Sequence, residues 1–213
     1  MHDDVLDESQ RAALSALKPA AARGFYLAGG TGLCLHLAHR RSVDIDLFRT
    51  EAFDADGIAR ELGASGVDLR ELRSAPATIH AEVLGVRTSL LAFPYAPLET
   101  PIPTVEGVPV ASVRDIAAMK IEAIASRGAR KDFYDLYFIC LDGLSLDGAL
   151  DAFRLRFASA SPDIYHRLRA LTFFEDAERE PDLMLLRPAR WGEVRAFFEQ
   201  EARRLWGESS PSR

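Results

Sequence analysis

The sequence predicts an α+β fold in which a small mixed β-sheet packs against a helical C-terminal lobe. A strand, a Gly-Gly-Thr turn, a helix and a second strand follow one another between residues 24 and 48. Three segments with strand character lie between residues 67 and 93, and the chain is helical in pattern after residue 111. Five prolines between residues 94 and 109 indicate a connection between lobes. We therefore expect one lobe over residues 1–111 and another over 112–213.

The segment from Gly24 to Phe48 carries the strongest pattern in the chain. Phe25 to Leu27 form a predicted short strand, and Gly29-Gly30-Thr31 follow it where the backbone can turn tightly and approach a ligand closely. An apolar helix then leads to a polar loop over residues 39–42. The next residues, 43–48, alternate with period two, which predicts a strand with Val43, Ile45 and Leu47 on its apolar face.

Asp44 and Asp46 share the opposite face of that strand. Two carboxylates at this spacing have Cα atoms about 6.6 Å apart and point the same way, so one hard cation fits between them. Mg²⁺ is commonly bound by one or two carboxylates together with substrate phosphates. The preceding glycines can offer backbone N–H groups to such a phosphate. The alternative is a half-exposed edge strand with solvated acids.

The remaining elements follow from periodicity and end signals. A first helix is predicted over residues 7–17, ending at Pro19, and a second begins after Asp54 and ends at Gly63. Strands are predicted over residues 67–72, 78–84 and 86–93, with Gly85 in the turn of a hairpin. Ser112 is the predicted N-cap of the first helix of the C-terminal lobe. Helices are predicted there over residues 113–126, 131–141, 146–157, 163–171 and 189–206.

Three charged residues lie on otherwise apolar helical faces in the C-terminal lobe. Lys120 lies near the middle of the apolar arc of its helix, and Asp135, with Asp132 on the same face, lies in a helix that is apolar on nearly every side. A buried carboxylate needs a cation or strong hydrogen bonds, and Lys120, Arg127 and Arg130 are the nearest candidates. The alternatives are a snorkelling lysine and an ion pair that only aligns two helices.

Composition excludes several classes of function. The formal net charge of −6 argues against an extended nucleic-acid-binding surface, which needs a broad basic face. No apolar run approaches the roughly 20 residues of a membrane span, and the start MHDDVLDESQ is unlike a signal peptide, so the cytoplasm is the expected location. Cys34 and Cys140 have no nearby partner at zinc-ligand spacing.

Residues 24–141 resemble a known family. The shared features are Gly29-Gly30-Thr31, a helix, Arg41-Ser42, Asp44-Ile45-Asp46, Ala118-Met119-Lys120, Arg127 and Lys131 to Leu136. Together they resemble nucleotidyltransferases of the DNA polymerase β-like fold, and in particular the AbiEii/AbiGii toxin family.

The resemblance implies a role for each matching residue. It implies that Asp44 and Asp46 bind Mg²⁺ or Mn²⁺, and that Lys120, Asp132 and Asp135 join them as catalytic residues. The NTP would be bound by a set of residues that lies in both lobes: Gly29, Gly30, Thr31, Arg41, Ser42, Lys120 and Arg127.

The resemblance also implies an activity and partners. NMP would be transferred from an NTP to a hydroxyl of a tRNA-like RNA or a protein. The chain would act as the toxin of a toxin–antitoxin or phage-defence pair, with a separate antitoxin protein.

One position departs from the family pattern. Polymerase β-like enzymes commonly carry a third carboxylate on a neighbouring strand, where this chain has Ser89. Since such a carboxylate helps to deprotonate the attacking hydroxyl, the general base stays open among Glu82, Asp132 and Asp135. Ser89 also favours an alternative, a catalytically degenerate fold that binds a nucleotide or a protein. A kinase-like transfer in the same cleft is a third hypothesis.

Overall fold

Five strands form one mixed sheet in the N-terminal half of the chain. The computed structural model describes residues 1–161 and 163–208. Its strands are β1 (Tyr26–Leu27), β2 (Ile45–Arg49), β3 (Arg70–Ala75), β4 (Thr78–Val83) and β5 (Val86–Ala92). They lie in the order β1-β2-β5-β4-β3, with β2 and β5 parallel and the other neighbours antiparallel. Because β1 and β5 flank β2, the strand that carries Asp46 and follows Asp44 is not an edge strand.

The C-terminal half is helical, as predicted, and helices also cover the sheet in the N-terminal half. The helices are α1 (Glu8–Ala16), α2 (Lys18–Ala21), α3 (Gly29–Leu37), α4 (Ala55–Ala64), α5 (Val113–Arg127), α6 (Arg130–Leu141), α7 (Leu146–Arg156), α8 (Ile164–Ala170), α9 (Glu175–Glu178) and α10 (Trp191–Glu208). Short 3₁₀ helices occupy Asp3–Val5 and Ala158–Ala160. The mixed sheet and the helical half confirm the α+β fold class.

Local end signals explain most helix boundaries. The Ser112 side chain accepts a hydrogen bond from the Asp115 backbone N–H, which caps α5 as predicted. The first helix ends before Pro19, close to the predicted residue 17, but Pro19 itself begins a second helix: it lies in the first turn of α2, where its missing N–H is not needed. Helix α9 was not predicted, since its four residues are too few to show a helical period.

Two hydrophobic clusters stabilise the two halves. One lies between the sheet and the helices that cover it and includes Leu14, Leu47 and Ile79, which are fully buried. The other joins the C-terminal helices through Phe133, Phe153 and other residues, and it also contains Tyr26 and Leu33 from the N-terminal half. Side chains from both halves thus share one core. The division at residue 111 stays a prediction.

The acidic strand differs from its prediction at one end. Ile45 and Leu47 are fully buried, but Val43 is 65% exposed, so its placement on the apolar face was wrong. The reason is that β2 begins only at Ile45, where pairing with Thr88 of β5 starts. Val43 and Asp44 lie in the segment that enters the strand, at the rim of a cleft.

Candidate active site

A cleft of about 500 Å³ separates the sheet from helices α5 and α6. The sheet side is lined by the start of α3 and by Asp44, Asp46 and Phe48. Residues 182–184 close one side of the cleft. Five basic side chains border it: Arg40, Arg41, Lys120, Arg127 and Lys131. Apolar residues, among them Phe48, Phe93 and Met119, line the rest.

Gly29 and Gly30 form the first turn of helix α3 rather than a loop before it. A Cβ atom at Gly29 would lie 2.9 Å from Asp46 Oδ2, and φ at Gly29 is +63°. At Gly30 a Cβ atom would lie 2.6 Å from the Arg40 guanidinium and 2.8 Å from Ser42 Oγ. A side chain at either position would displace polar groups of the cleft, and the positive φ at Gly29 favours glycine there in addition. The first N–H groups of α3 lack partners within the helix and lie at the cleft.

Thr31 supports the acidic segment from inside the protein. Its side chain is 1% exposed and donates a hydrogen bond to the backbone carbonyl of Asp44. Thr31 is absent from the lining of the cleft. The hydroxyl therefore connects helix α3 to the segment that presents the two acids.

Asp44 and Asp46 line the cleft and remain partly exposed. Asp44 Oδ1 is buried yet accepts no hydrogen bond from the described residues. Arg87 Nε lies 2.8 Å from that oxygen but outside hydrogen-bond geometry, and the Arg87 side chain is 75% exposed. This oxygen holds no hydrogen bond and is ion-paired only with an exposed arginine, so it is suited to a cation that displaces Arg87.

The residues present fit a divalent cation that shares its coordination with a substrate. Within residues 1–161 and 163–208, no group of three or more His, Cys, Asp or Glu side chains could hold a metal ion. Asp44 and Asp46 can contribute one or two carboxylate ligands, which is the usual protein share of a Mg²⁺ site completed by phosphates and water.

The opposite wall is a buried network of charges around Asp132 and Asp135. Lys120 Nζ lies 2.7 Å from Asp132 Oδ1 and 2.5 Å from Asp135 Oδ2. Arg127 donates two hydrogen bonds to Asp132, from Nε at 2.7 Å and Nη2 at 2.9 Å. Both aspartates are 0% exposed and Lys120 is 3% exposed, so the lysine does not snorkel to water.

Arg40 completes this network from the N-terminal half. It binds Asp135 with two hydrogen bonds, from Nε at 2.7 Å and Nη2 at 2.9 Å, and His39 Nε2 lies 2.7 Å from the same carboxylate. The predicted loop at residues 39–42 is present, but His39 and Arg40 within it are buried. These two residues are buried because they pair with Asp135, and the local sequence around residues 39–42 does not show that contact.

The network also determines the ionisation of its members. Burial acts to raise the pKa of Asp135, but Arg40 and Lys120 hold that pKa well below its usual range. Burial likewise opposes ionisation of Asp132, whose pKa is nevertheless lowered by Lys120 and Arg127. Burial acts to lower the pKa of Lys120, whereas Asp132 and Asp135 raise it. All three groups are therefore charged at neutral pH.

Three cationic side chains meet two carboxylates in the buried network. Lys120, Arg127 and Arg40 pair with Asp132 and Asp135, and Lys120 and Arg127 also border the cleft. Glu122 and Asp182 line the cleft as well, but each pairs with an arginine outside this network. An anion bound against the network would thus meet one more positive than negative charge in a partly desolvated setting.

The structure brings most predicted site residues to one cleft. Gly29, Gly30, Arg41, Ser42, Asp44, Asp46, Lys120 and Arg127 all line it. Thr31, Asp132 and Asp135 lie behind its surface and hold residues that do. Arg130, one of three predicted partners for the buried acids, instead binds Asp182 at 2.7 Å and the Ala177 carbonyl.

Ser89 occupies the neighbouring-strand position at which a third acid was expected. It is the register partner of Asp46 across β2 and β5. Glu82 lies one strand further away, opposite Arg87. Asp132 and Asp135 are fully buried and ion-paired, which makes them poor proton acceptors.

Sequence comparison adds a family to this geometry. The family model described as nucleotidyl transferase AbiEii toxin, type IV toxin–antitoxin system, matches residues 82–208. An uncharacterized protein from Aquifex aeolicus is 33% identical over 203 residues, which cover 93% of this chain and 96% of that protein.

Solved structures share the fold. MenT4, a nucleotidyltransferase toxin from Mycobacterium tuberculosis, superposes with a TM-score of 0.54 at 16% identity, over 91% of this chain and 85% of that one. The antibiotic-resistance factor ANT(2'')-Ia gives a TM-score of 0.50 at 18% identity, over 76% of this chain and 100% of that one. Within the part of the chain that the structure describes, no helix is long and apolar enough to cross a membrane.

Proposed function

Because the chain belongs to the nucleotidyl transferase AbiEii toxin family, and is thus a nucleotidyltransferase, we propose that its cleft binds an NTP together with Mg²⁺ or Mn²⁺. The reaction in this cleft transfers NMP from the NTP to a hydroxyl group. The acceptor is a tRNA-like RNA or a protein. The observation that carries this proposal is the opposition, across one cleft, of Asp44 and Asp46 to the positively charged wall of Lys120 and Arg127.

The acidic wall suits the metal ion of a metal–triphosphate, and the basic wall suits its phosphate groups. Arg127 is half-exposed while it holds Asp132, and Lys120 lines the cleft with one more N–H than its two carboxylate partners require, so both can bind non-bridging phosphate oxygens. Arg41, Ser42 and the first N–H groups of α3 can bind further phosphate oxygens. Phe48, Phe93 and Met119 offer apolar surface to the nucleoside.

In this proposal Asp44 and Asp46 hold the cation, which when bound neutralises phosphate charge and polarises the reacting phosphate. The acceptor oxygen forms a bond to the α-phosphorus while the bond between that phosphorus and the α–β bridging oxygen breaks, which releases pyrophosphate. Lys120 and Arg127 stabilise the charge that develops on the phosphate oxygens. Asp132 and Asp135 act as positioning residues, because they hold Lys120 and Arg127 and do not line the cleft.

The family also supports a biological role. We propose that the chain is the toxin of a toxin–antitoxin pair, restrained by a separate antitoxin, and acts in the cytoplasm, where NTPs and tRNA occur. The lobes 1–111 and 112–213 would contribute one wall of the cleft each.

The test is transfer of label. Purified protein is incubated with each α-³²P-labelled NTP, Mg²⁺ and total RNA or cell lysate, beside Asp46→Ala and the control Asp151→Ala. Asp151 is exposed and pairs with Arg154 three residues along the same helix. We expect wild type and Asp151→Ala to label an acceptor and release pyrophosphate, and Asp46→Ala to do neither. The proposal is contradicted if wild type labels no acceptor, if Asp46→Ala labels equally well, or if ADP-type products appear instead of pyrophosphate.

A further inference from the structure

A second cavity of about 340 Å³ opens on the face of the sheet and shares Asp44 and Asp46 with the cleft. It extends away from the helical wall, over strands β5, β4 and β3. Its lining includes Arg73, His80, Glu82, Arg87 and Ser89. The two acids thus stand between a basic cleft suited to the nucleotide and a separate opening through which a second substrate can approach.

Strand register places a row of three polar side chains across this opening. Asp46 pairs with Ser89 of β5, and Ser89 pairs with His80 of β4. Register partners on neighbouring strands present their side chains on the same face of a sheet. With strands spaced roughly 4.8 Å apart, His80 lies about two strand spacings from Asp46, with only the small Ser89 side chain between them. The space that an acidic side chain at position 89 would fill is therefore bordered by the imidazole of His80.

His80 is oriented by the same serine. Its Nδ1 atom lies 3.2 Å from Ser89 Oγ, and the residue is exposed to the cavity. In the tautomer with the proton on Nδ1, that N–H donates to Ser89 Oγ and leaves Nε2 free to accept a proton. Among the side chains that the structure describes, the charged groups that line the cavity with His80 are Arg73 on β3, Glu82 on its own strand, Arg87 on β5, and Asp44 and Asp46 at β2.

The other candidate bases are less well placed. Asp132 and Asp135 are ion-paired and fully buried behind Lys120. Glu82 pairs in register with Arg87 and lies in the row of Asp44 rather than in the row of Asp46 and Ser89. Glu82 is thus only a diagonal neighbour of Ser89, whereas His80 is its direct register partner.

We propose that His80 is the general base of the transfer reaction and that Ser89 is its positioning residue. This inference rests on the proposed function. Nε2 of His80 takes the proton of the acceptor hydroxyl as that oxygen bonds to the α-phosphorus, and pyrophosphate leaves with the electrons of the broken bond. Arg73 and Arg87 line the same opening and suit an acceptor that carries phosphate, such as an RNA end.

The test compares transfer rates over a range of pH at saturating NTP. Variants are His80→Gln and His80→Ala, with His166→Gln as the control, an exposed histidine on α8 away from both cavities. We expect His80→Gln and His80→Ala to lose about 10²- to 10⁴-fold in rate and to lose the fall in rate at acid pH that wild type shows. NTP binding should be unchanged, and added imidazole should restore part of the rate of His80→Ala.

Ser89→Ala separates positioning from chemistry. It should lower the rate by about tenfold or less, the cost of one orienting hydrogen bond, and keep the fall at acid pH. The inference is overturned if His80→Gln retains the wild-type rate and pH profile, or if Glu82→Gln loses the acid limb while His80→Gln keeps it. In either case wild type still transfers label, so the proposed function stands. A wild type that transfers no label overturns both.

Discussion

The two pairs of aspartates on the walls of the cleft differ in almost every physical respect except residue type. Asp44 and Asp46 are partly exposed, and the Asp44 carboxylate has an oxygen that accepts no hydrogen bond from the described residues. Asp132 and Asp135 are 0% exposed, and both are held by two or more cationic or imidazole groups. One pair has bonding capacity left for a ligand, whereas the other uses its capacity inside the protein.

This difference assigns a catalytic role to the exposed pair of aspartates and a structural role to the buried pair. A carboxylate that is saturated by protein partners stabilises their geometry and cannot bind a cation from solution without losing them. A carboxylate with an unsatisfied oxygen at the surface of a cleft can. The exposed pair should therefore control activity, and the buried pair should control stability and the placement of Lys120 and Arg127.

The largest effect on stability is expected for Asp135→Asn. The substitution keeps the shape of the side chain but leaves Arg40 and Lys120 buried without their shared carboxylate, which costs about 3–5 kcal/mol in free energy of unfolding. Urea unfolding measures the change. The control is Asp151→Asn, whose exposed pair with Arg154 should contribute no more than about 1 kcal/mol. Equal small losses in both variants would show that the buried network does not stabilise the fold.

Acid should act on the same pair. Because the pKa of Asp135 is lowered in the folded state, the unfolded chain binds protons first as the pH falls below about 4. The stability that Asp135 contributes is thus present above that pH and is lost as the pH falls through its folded-state pKa. Unfolding measured from pH 7 to pH 2 should show a steep loss for wild type and a shallower slope for Asp135→Asn. Parallel slopes would contradict the assignment.

The largest effect on activity is expected for Asp46→Asn. Loss of one of two cation-binding carboxylates should lower the transfer rate on the order of 10³-fold, since a cation at the reacting phosphate contributes several kcal/mol. The free energy of unfolding should change by less than about 0.5 kcal/mol, because Asp46 is partly exposed. A variant that lost stability instead of activity would remove the distinction between the pairs.

A smaller effect on activity is expected for Arg127→Gln, because Arg127 both contacts the buried pair of aspartates and borders the cleft. Arg127 holds Asp132 and borders the cleft with a side chain that is 53% exposed. Loss of its charge-assisted contact to phosphate should raise the KM for NTP about tenfold, equivalent to about 1.4 kcal/mol, and should lower kcat as well, because the same contact stabilises the charge that develops in the reaction. Arg187→Gln is the matched control, because Arg187 forms a similar two-bonded pair with Asp142 outside the cleft. An unchanged KM in Arg127→Gln would exclude a phosphate contact.

Sequence patterns predicted the parts of the site that depend on local spacing. The Asp pair follows from period-two alternation, and the burial of Lys120 and Asp135 follows from charged residues on apolar helical faces. Gly29 and Gly30 were predicted to allow close approach, and their Cβ positions meet Asp46, Arg40 and Ser42. Such signals are contained within a few helical turns or one strand.

The partners of these residues could not be predicted in the same way. Arg40 and Asp135 are 95 positions apart, and nothing near Arg40 distinguishes it from the exposed Arg41 beside it. Three cations near the acids in sequence were available as partners, so nothing in the sequence indicated that Arg130 would bind Asp182 and that Arg40 would reach Asp135. The Ser89–His80 contact likewise depends on the register of β4 and β5, which follows from the hairpin and not from either residue alone.

The Mg²⁺ dependence of NTP affinity in wild type and Asp44→Asn tests the central distinction most directly. It is measured with a non-hydrolysable fluorescent NTP analogue, so that turnover does not contribute. We predict that Mg²⁺ tightens binding to wild type by about tenfold or more and has little effect on Asp44→Asn, because a bridging cation needs the unsatisfied Asp44 oxygen. Equal tightening of both proteins by Mg²⁺ would contradict the assignment of Asp44 and Asp46 as the metal-binding pair.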